Sequence, residues 1–275
     1  MSDEITVIIP VWDGYTSLLP ECVASVASQR GTTVRIMVVD NASATDLPLL
    51  PTAVELLRLP DRRSVGAARN AALERVETDF VCFFDADDRM LAGMLAGLLT
   101  RLLERPDAIA AIAPFLAWDP ASGETRHLAR MPRPIVYHAH KYPRLFALSG
   151  LIFNSFLVAG GLYRTDAVRN AGGFDDGNLG EDWLLAAALA FRGRLEFASE
   201  PGFLHRTSQG SLWYREHRRA ELDDVYRSLR LRIASDRGAP LWGRLAARAV
   251  RPIHALEVRR RTVDGVLFPR TAFER

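Results

Sequence analysis

The sequence predicts an α/β protein with a mostly parallel central sheet flanked by helices, followed by a helical extension. Two observations predict this class. Over the first 115 residues, short apolar runs alternate with segments of helical spacing, as β-α-β units require. Residues 212–275 instead contain arginine-rich helical segments. The chain has 275 residues and is 48% hydrophobic and 25% charged, so it can bury a globular core.

Five runs in the first 115 residues are typical of buried strands. They are 5–11, 34–40, 54–59, 80–84 and 108–115, all rich in β-branched or other apolar residues. Helical spacing marks 17–29, 64–76 and 91–104, and Ser64 is placed to cap the second helix. Residues 115–160 are irregular, with a helix near 142–149. After them we predict a strand at 160–164 and a helix that starts near Glu181 and ends at Gly193.

Acidic side chains lie at the ends of three predicted strands. Asp13 follows the first, Asp40 ends the second, and Asp85, Asp87 and Asp88 follow the fourth. The carboxyl ends of parallel strands meet at one edge of the sheet, where such sheets bind ligands. Capping of the helix near residue 91 would explain Asp88 alone. It explains the three together poorly, because adjacent carboxylates repel unless a cation or a raised pKa relieves them. A divalent metal shared with phosphate oxygens would do so.

A second acidic pair, Glu181 and Asp182, lies at the start of a predicted helix. Acids in a first turn favour a helix through its dipole, so a structural role alone could explain them. The functional alternative is a catalytic carboxylate on a rigid element. At a helix N-terminus we expect the carboxyl pKa to be lowered, so that the group can accept a proton at neutral pH.

Charge is distributed unevenly along the chain. Residues 1–100 contain 8 Arg and 14 Asp or Glu, whereas residues 211–275 contain 15 Arg and 8 acids. An acidic first part fits a metal site. A basic last part fits either an anionic partner or a solvated helical face. Cys22 and Cys82 lie in apolar stretches and are expected to be buried free thiols, and no Cys/His spacing indicates zinc.

No segment has the pattern of a signal peptide or a membrane span. The N-terminus is acidic and reaches a strand by Ile5, so we expect no signal peptide. The longest uncharged run, 147–163, is shorter than the roughly 20 apolar residues of a spanning helix. We therefore expect a cytoplasmic protein. Peripheral contact with the inner face of the membrane, through the basic C-terminal helices, stays open.

Five blocks of the sequence resemble family 2 glycosyltransferases of the GT-A fold. In chain order they are "IIPVWDGYTSLLPECVASVASQ", "VVDNASATD", "VGAARNAAL", "FFDADD" and "GGFDDGNLGEDWLLAAALAFRG". The blocks follow the family's order and cover about residues 4–211. A single Asp-x-Asp would be a weak signal, whereas five blocks in order are a strong one.

The resemblance implies inverting transfer of a sugar from a nucleoside-diphosphate donor, with UDP- or dTDP-sugars favoured. Mn or Mg would be the cofactor. The acceptor would be a hydroxyl of a saccharide, a lipid-linked saccharide or a natural product. On the donor side the resemblance implies that Asp40 contacts the base or ribose, that Asp85 binds the ribose, and that Arg69 meets the nucleotide or its diphosphate. It also implies that Pro10, Val11 and Asp13 line the same pocket.

For the chemistry, the resemblance implies that Asp87 binds the metal and that Asp182 is the general base. Glu181 would orient the acceptor or its loop. Trp183 could stack on a sugar, although packing of a first-turn aromatic on the core is as good an explanation.

Two positions depart from the family pattern. The family usually has Asn where this chain has Asp13. Further along, Ser208 stands where a His is often found. His205 lies close by and could be a further ligand of the metal or the diphosphate, although a lone His is more often structural.

We predict a catalytic domain at 1–211, with a nucleotide-binding half at about 1–115 and an acceptor half at about 116–211. The Arg-rich extension, 212–275, is predicted to form two helices separated by Gly238-Ala239-Pro240. It could cover the acceptor cleft, form a homodimer interface, lie on a membrane, or pack on the catalytic domain.

Two other functions fit the sequence less well than glycosyl transfer. A non-catalytic nucleotide-sugar-binding protein on this fold would have little reason to keep Asp87 and Asp182. A phosphotransferase of the haloacid-dehalogenase type needs its Asp pair on the first strand and a downstream Lys, whereas here the pair follows the fourth strand and Lys141 is the only lysine. Nucleic acid is not an expected partner, because no binding module accompanies the basic segment.

Overall fold

The computed structural model of the protein describes residues 3–129, 139–154, 158–177, 179–207 and 219–264. Its strands are β1 (Glu4–Val11), β2 (Thr33–Asp40), β3 (Val54–Arg58), β4 (Phe80–Phe83), β5 (Arg89–Met90), β6 (Ala108–Ile112), β7 (Phe115–Trp118), β8 (Thr125–Ala129), β9 (Gly161–Arg164), β10 (Arg194–Phe197) and β11 (Phe203–Arg206). Its helices are α1 (Leu19–Ala27), α2 (Val65–Leu73), α3 (Met94–Glu104), α4 (Pro143–Ser149), α5 (Thr165–Asn170), α6 (Glu181–Arg192), α7 (Arg219–Ser235), α8 (Leu241–Ala249) and α9 (Arg251–Asp264).

A seven-stranded sheet forms the centre of the molecule, in the order β10-β6-β9-β4-β1-β2-β3. Neighbouring strands are parallel except where β9 runs antiparallel between β4 and β6. This confirms the predicted mostly parallel sheet. A smaller sheet, β5-β11-β7-β8, lies beside it. The predicted two halves of the catalytic domain stay a prediction, and strands from both ranges belong to the central sheet.

Two hydrophobic clusters, one on each face of the sheet, explain the continuous apolar runs. In β1, Ile8 belongs to one cluster, whereas Ile5, Val7, Ile9 and Val11 belong to the other. Alternate side chains of a strand point to opposite faces. A central strand covered by helices on both faces therefore needs apolar residues at every position.

Local sequence explains where two of the helices begin. Ser64 caps α2 as predicted, since its Oγ accepts a hydrogen bond from Ala67 N at 3.1 Å. The helix α3 begins after Gly93, whose φ is 81°, later than predicted. That left-handed conformation is one that glycine adopts at no steric cost. The N-cap position belongs to Gly93, so the alternative that Asp88 caps this helix is not the one observed.

The C-terminal extension contains three described helices, not the predicted two. The helix α8 ends at Ala249 with Val250 as its C-cap, and α9 begins at Arg251 with Pro252 in its first turn. Proline is tolerated there because no intrahelical N–H is needed. The helices pack on the preceding part of the chain through buried side chains of α7, including Leu222, Tyr226 and Leu229, in the same cluster as α6. Of the arrangements left open, packing of the extension on the predicted catalytic domain, residues 1–211, is thus observed. No described helix is long and apolar enough to cross a membrane.

Candidate active site

The three predicted acidic strand ends do meet, because β4, β1 and β2 are adjacent in the sheet. Asp40 is buried and its Oδ1 accepts from Ser43 N at 3.0 Å. Asp13 accepts from the backbone N of Ala44 and Thr45 at 3.0 and 3.1 Å. These backbone donors lower the pKa of Asp13. Both carboxylates therefore fix the loop that follows β2.

Pro10 and Val11 are buried within β1. The Val11 carbonyl accepts a hydrogen bond from Asn41 N at 2.9 Å. Both side chains are thus buried, and their part in lining a donor pocket stays a prediction.

The three carboxylates after β4 have different surroundings. Asp88 is 1% exposed. Its Oδ1 accepts from Arg206 N and its Oδ2 meets His205 Nδ1, both at 3.0 Å. Asp85 accepts from Arg69 Nη2 at 2.6 Å. Asp88 therefore does not cap a helix. It connects the segment after β4 to β11.

Asp87 is the carboxylate that this arrangement leaves for a cation. Burial, together with the charges of Asp88 and Asp85, raises the pKa of Asp87 to about 7. Among the residues that the structure describes, no group of three ligand-type side chains could hold a metal by itself. One carboxylate fits a hard divalent ion that takes its remaining ligands from phosphate oxygens and water. The donor set thus fits Mn or Mg with a diphosphate.

His205 lies next to this position on β11. Burial acts to lower the pKa of His205, but the carboxylate of Asp88, together with those of Asp85 and Asp87, outweighs it and raises that pKa to about 9. The neighbouring Arg206 donates from Nε to the Asp87 carbonyl at 2.8 Å and ion-pairs with Glu21 at 2.6 Å. The structure therefore brings His205 to the acidic cluster, and a ligand role for it stays a prediction.

Arg69 connects the two acidic motifs. The guanidinium, from α2, is buried and donates to Asp85 Oδ1 at 2.6 Å and to Glu181 Oε1 at 3.0 Å. Burial acts to lower its pKa, but the two carboxylates raise it. Sequence reasoning assigned Arg69 to the nucleotide or its diphosphate and missed this bridge. The only available signal was that both motifs contain more acids than nearby bases.

The next residue, Asn70, joins α2 to the loop at residues 174–175. Its side-chain amide donates to the Phe174 carbonyl at 2.9 Å and accepts from Phe174 N at 2.8 Å. At Gly66, one turn earlier, a Cβ would stand 2.3 Å from the Asp175 carbonyl. The helix α2 can therefore approach the 174–175 loop only with glycine at this position.

Asp182 lies in the first turn of α6, after Gly180. Its Oδ1 accepts from Trp183 N at 2.7 Å, and its Oδ2 accepts from Asn154 Nδ2 at 3.2 Å. The pKa of Asp182 is raised, chiefly by burial, although Arg69 and both hydrogen bonds oppose this. The expected lowering was wrong because the dipole at a helix start is weaker than the loss of hydration. Burial and the charge of Asp182 likewise raise the pKa of Glu181 to about 7.

Trp183 belongs to the core, which corrects its assignment to acceptor binding. It is 3% exposed, and its Nε1 donates to the Gly150 carbonyl at 2.7 Å. A buried indole cannot stack on a sugar. The alternative drawn from the sequence, first-turn packing on the core, is the one observed. Ser208 lies outside the described residues.

Known proteins resemble this chain in family, in sequence and in fold. A family model described as glycosyl transferase family 2 matches residues 6–159. Succinoglycan biosynthesis protein ExoO of Rhizobium meliloti is 27% identical over 224 residues, covering 76% of this chain and 62% of the relative. Pre-mycofactocin glycosyltransferase of Mycobacterium tuberculosis is 29% identical over 224 residues, covering 74% of this chain and 43% of the relative. The chain thus spans less than two thirds of these curated relatives.

Solved structures share the fold at low sequence identity. S. aureus TarS 1-349 in complex with UDP has a TM-score of 0.62 at 17% identity, over 98% of this chain and 73% of that chain. Mannosyltransferase PcManGT from Pyrobaculum calidifontis in complex with GDP-Man and Mn2+ has a TM-score of 0.55 at 17% identity, over 92% of this chain and 75% of that chain. These similarities confirm the predicted fold.

Proposed function

The chain belongs to glycosyl transferase family 2 and has the GT-A fold, and from this premise we propose that it is a metal-dependent, inverting glycosyltransferase. One observation carries the proposal. Arg69 hydrogen-bonds both the Asp-x-Asp corner after β4 and the Glu-Asp pair of α6. A site for a metal diphosphate and a site for a base are thereby held in one rigid arrangement.

On the donor side, Asp87 would hold Mn or Mg. When bound, such an ion would offset the negative charge that develops on the departing diphosphate. Asp85 would accept from the ribose while it keeps its bond to Arg69, and Asp40 would contact the base or ribose at the end of β2. UDP- and dTDP-sugars are the favoured donors. The TarS structure contains UDP, and the PcManGT structure contains GDP-Man and Mn2+. Both support a nucleotide-sugar as the partner.

On the acceptor side, Asp182 would take the proton from an acceptor hydroxyl. The hydroxyl oxygen then bonds to the anomeric carbon from the face opposite the leaving group, and the nucleoside diphosphate departs with the electron pair of the broken bond. A carboxylate with a raised pKa is a stronger base than an ordinary aspartate. Glu181, fixed by Arg69, would orient the acceptor or its loop. A saccharide, lipid-linked or natural-product hydroxyl is the proposed acceptor, and the name of ExoO supports the saccharide class.

Nucleotide binding that depends on a metal is the first expected result. In a thermal-shift panel of UDP, dTDP, GDP, CDP and ADP, one base should stabilise the protein with Mn and fail to do so with EDTA. A ligand at 100 times its dissociation constant stabilises a fold by about 2.7 kcal/mol. Asp87→Ala should remove the metal-dependent part of the shift. Asp166→Ala, at a carboxylate 89% exposed, is the control. No shift with any nucleotide, with or without metal, would contradict the proposal.

We also propose peripheral contact of the C-terminal helices with an anionic bilayer. Leu241, Leu245 and Leu256 are 63%, 52% and 65% exposed, and the neighbouring Arg248 and Arg251 are also exposed. Exposed apolar side chains beside cations are typical of surfaces that lie on anionic lipid.

Co-sedimentation with lipid vesicles tests this contact. The protein should sediment with vesicles that contain phosphatidylglycerol, less so at high salt, and remain in the supernatant with phosphatidylcholine alone. The double variant Leu245→Ser/Leu256→Ser should bind less. If the protein binds both kinds of vesicle equally, and the double variant binds as well as the wild type, the bilayer is not the partner. The same conclusion follows if the double variant instead abolishes a dimer that the wild type forms in sedimentation equilibrium.

A further inference from the structure

Three consecutive backbone carbonyls after α4 accept hydrogen bonds from side chains of three different helices. We call residues 150–152 the carbonyl segment. Gly150 O accepts from Trp183 Nε1 of α6 at 2.7 Å. Leu151 O is 2.7 Å from His254 Nε2 of α9, and Ile152 O accepts from the Tyr226 hydroxyl of α7 at 3.2 Å. Two of the three side chains thus come from the C-terminal extension.

The three side chains also pack on one another. The rings of Tyr226 and His254 are stacked with centroids 4.2 Å apart, and Trp183 meets Tyr226 edge-on at 5.4 Å. All three residues are at most 3% exposed. A buried aromatic group whose polar atoms all have partners has little freedom to rearrange. The carbonyl segment is therefore held in a single position.

The contacts of His254 determine its tautomer. Its Nδ1 lies 2.9 Å from Arg230 Nη1, and a guanidinium can only donate. Nδ1 is therefore the acceptor, and the proton is on Nε2, which donates to Leu151 O. Burial and the charge of Arg230 lower the pKa of His254 to about 4, against the opposing effects of the Leu151 carbonyl and Glu257. The imidazole is thus neutral at physiological pH and keeps this donor.

The carbonyl segment leads directly to Asp182. The chain turns once more after α4, since Leu151 N and Ile152 N donate to the carbonyls of Leu148 and Ser149. Because carbonyls at a helix end lack intrahelical partners, these carbonyls can accept hydrogen bonds from side chains. Two residues after the carbonyl segment, Asn154 Nδ2 donates to Asp182 Oδ2 at 3.2 Å.

We propose that the C-terminal helices position the catalytic base: Tyr226 and His254 fix the carbonyl segment, and Asn154 at its end orients the carboxylate of Asp182. Asn154, Tyr226 and His254 are accordingly positioning residues. The proposal rests on the proposed role of Asp182. The extension would then be part of the working catalytic unit, since without it only Trp183 would hold the carbonyl segment among the three donors described.

The proposal gives an expected direction for the pH dependence. Burial and the charge of Asp85 raise the pKa of Asp182. Arg69, the Trp183 amide and the hydrogen bond from Asn154 lower it. Loss of the Asn154 donor should raise the pKa of Asp182 further. Because the base must be ionised, the acid limb of kcat against pH should move to higher pH.

The test compares four variants in steady-state kinetics. Asn154→Ala should lower kcat by about 10- to 100-fold, in line with the cost of misplacing a reacting group, and shift the acid limb upward with the donor KM unchanged. Tyr226→Phe and His254→Leu should give smaller changes in the same direction. His254→Gln, whose amide can still donate to Leu151 O, should restore much of the wild-type profile.

The control is Asp236→Asn, which weakens the ion pair that joins Asp236 to Arg192 of α6, with Nε and Oδ2 at 2.8 Å. This variant also loosens the extension but does not touch the carbonyl segment. It should lower the melting temperature and leave the acid limb in place. If Asp236→Asn shifts the acid limb as much as His254→Leu does, the extension acts only through stability and the inference is wrong.

Hydrogen exchange gives a second readout that does not depend on sugar transfer. Amides 150–154 should exchange faster in Tyr226→Phe and His254→Leu than in wild type or Asp236→Asn. Unchanged exchange there would overturn the inference even in an active enzyme. If the wild type transfers no sugar but the variants Tyr226→Phe and His254→Leu exchange faster than it does, the proposed function fails. The link between the extension and the carbonyl segment then still stands.

Discussion

Asp182→Asn is expected to lower kcat for sugar transfer by about 10²- to 10⁴-fold, the usual contribution of a general base. The amide has nearly the shape of the carboxylate, and its oxygen can still accept from Trp183 N or from Asn154. It cannot take a proton from the acceptor hydroxyl. Donor binding should stay at the wild-type level, because the described contacts of Asp182 are with Trp183 and Asn154 and not with the strand ends.

The measurement pairs nucleotide-affinity titration with turnover of the donor-acceptor pair. Glu181→Gln is the matched variant, since it removes the neighbouring carboxylate and keeps Asp182. It should reduce turnover less, and it should lower the pKa of Asp182 by removing a like charge. If Asp182→Asn transfers sugar at the wild-type rate, another group is the base. In wild type, kcat should rise with pH through a pKa above the usual aspartate range, because the ionised form is the active one.

Arg69→Met is expected to have the largest effect on stability, lowering the free energy of unfolding by about 3–5 kcal/mol at neutral pH, as for one lost partner of a buried ion pair. Methionine fills much of the same volume but leaves Asp85 and Glu181 without their shared cation. The pKa of Glu181, already raised by burial and by the charge of Asp182, should then rise further because Arg69 lowers it in the wild type. A folded-state pKa above the unfolded value gives stability that is present at low pH and lost as pH rises through it. The deficit of the variant should therefore shrink in acid.

Urea unfolding of wild type and variant at about pH 5 and pH 8 measures this difference. Arg35→Met is the control, because Arg35 pairs with Glu77 at 3.7 Å with side chains 48% and 83% exposed. Such surface pairs contribute at most about 1 kcal/mol. The double variant Arg69→Met/Glu181→Gln should recover part of the loss. An equal deficit at both pH values would show that Arg69 acts through packing, for instance against Phe174, and not through charge.

The fold could be predicted because its signals are local. Buried parallel strands need apolar residues on both faces, so β1, β2 and β4 are visible as continuous runs. Their acidic ends could be assigned to one edge because parallel strands share a direction. The Ser64 cap is equally local, since it depends on residues three apart.

The rest of the candidate site depends on partners distant in the chain. Arg69 meets Glu181 across 112 positions, and Asp88 meets Arg206 across 118, so neither pairing has a sequence period. Trp183 occupies a first-turn position where either exposure or burial was possible. Its burial depends on partners such as Gly150 and Tyr226, which lie far from it in the chain. The direction of the Asp182 pKa was missed because burial depends on the whole fold.

The position of β9 in the central sheet affects how this chain can reach its native state. β9 lies between β4 and β6, both of which are made earlier during synthesis. Until Gly161–Arg164 leaves the ribosome, those two strands have no partner along the edges that β9 will occupy. Pairing between strands that are distant in the chain loses loop-closure entropy before the stabilising contacts form, so it is intrinsically slow. Unpaired apolar edges are also where nascent chains associate with one another. Expression yield should therefore depend on how soon β9 inserts after it emerges.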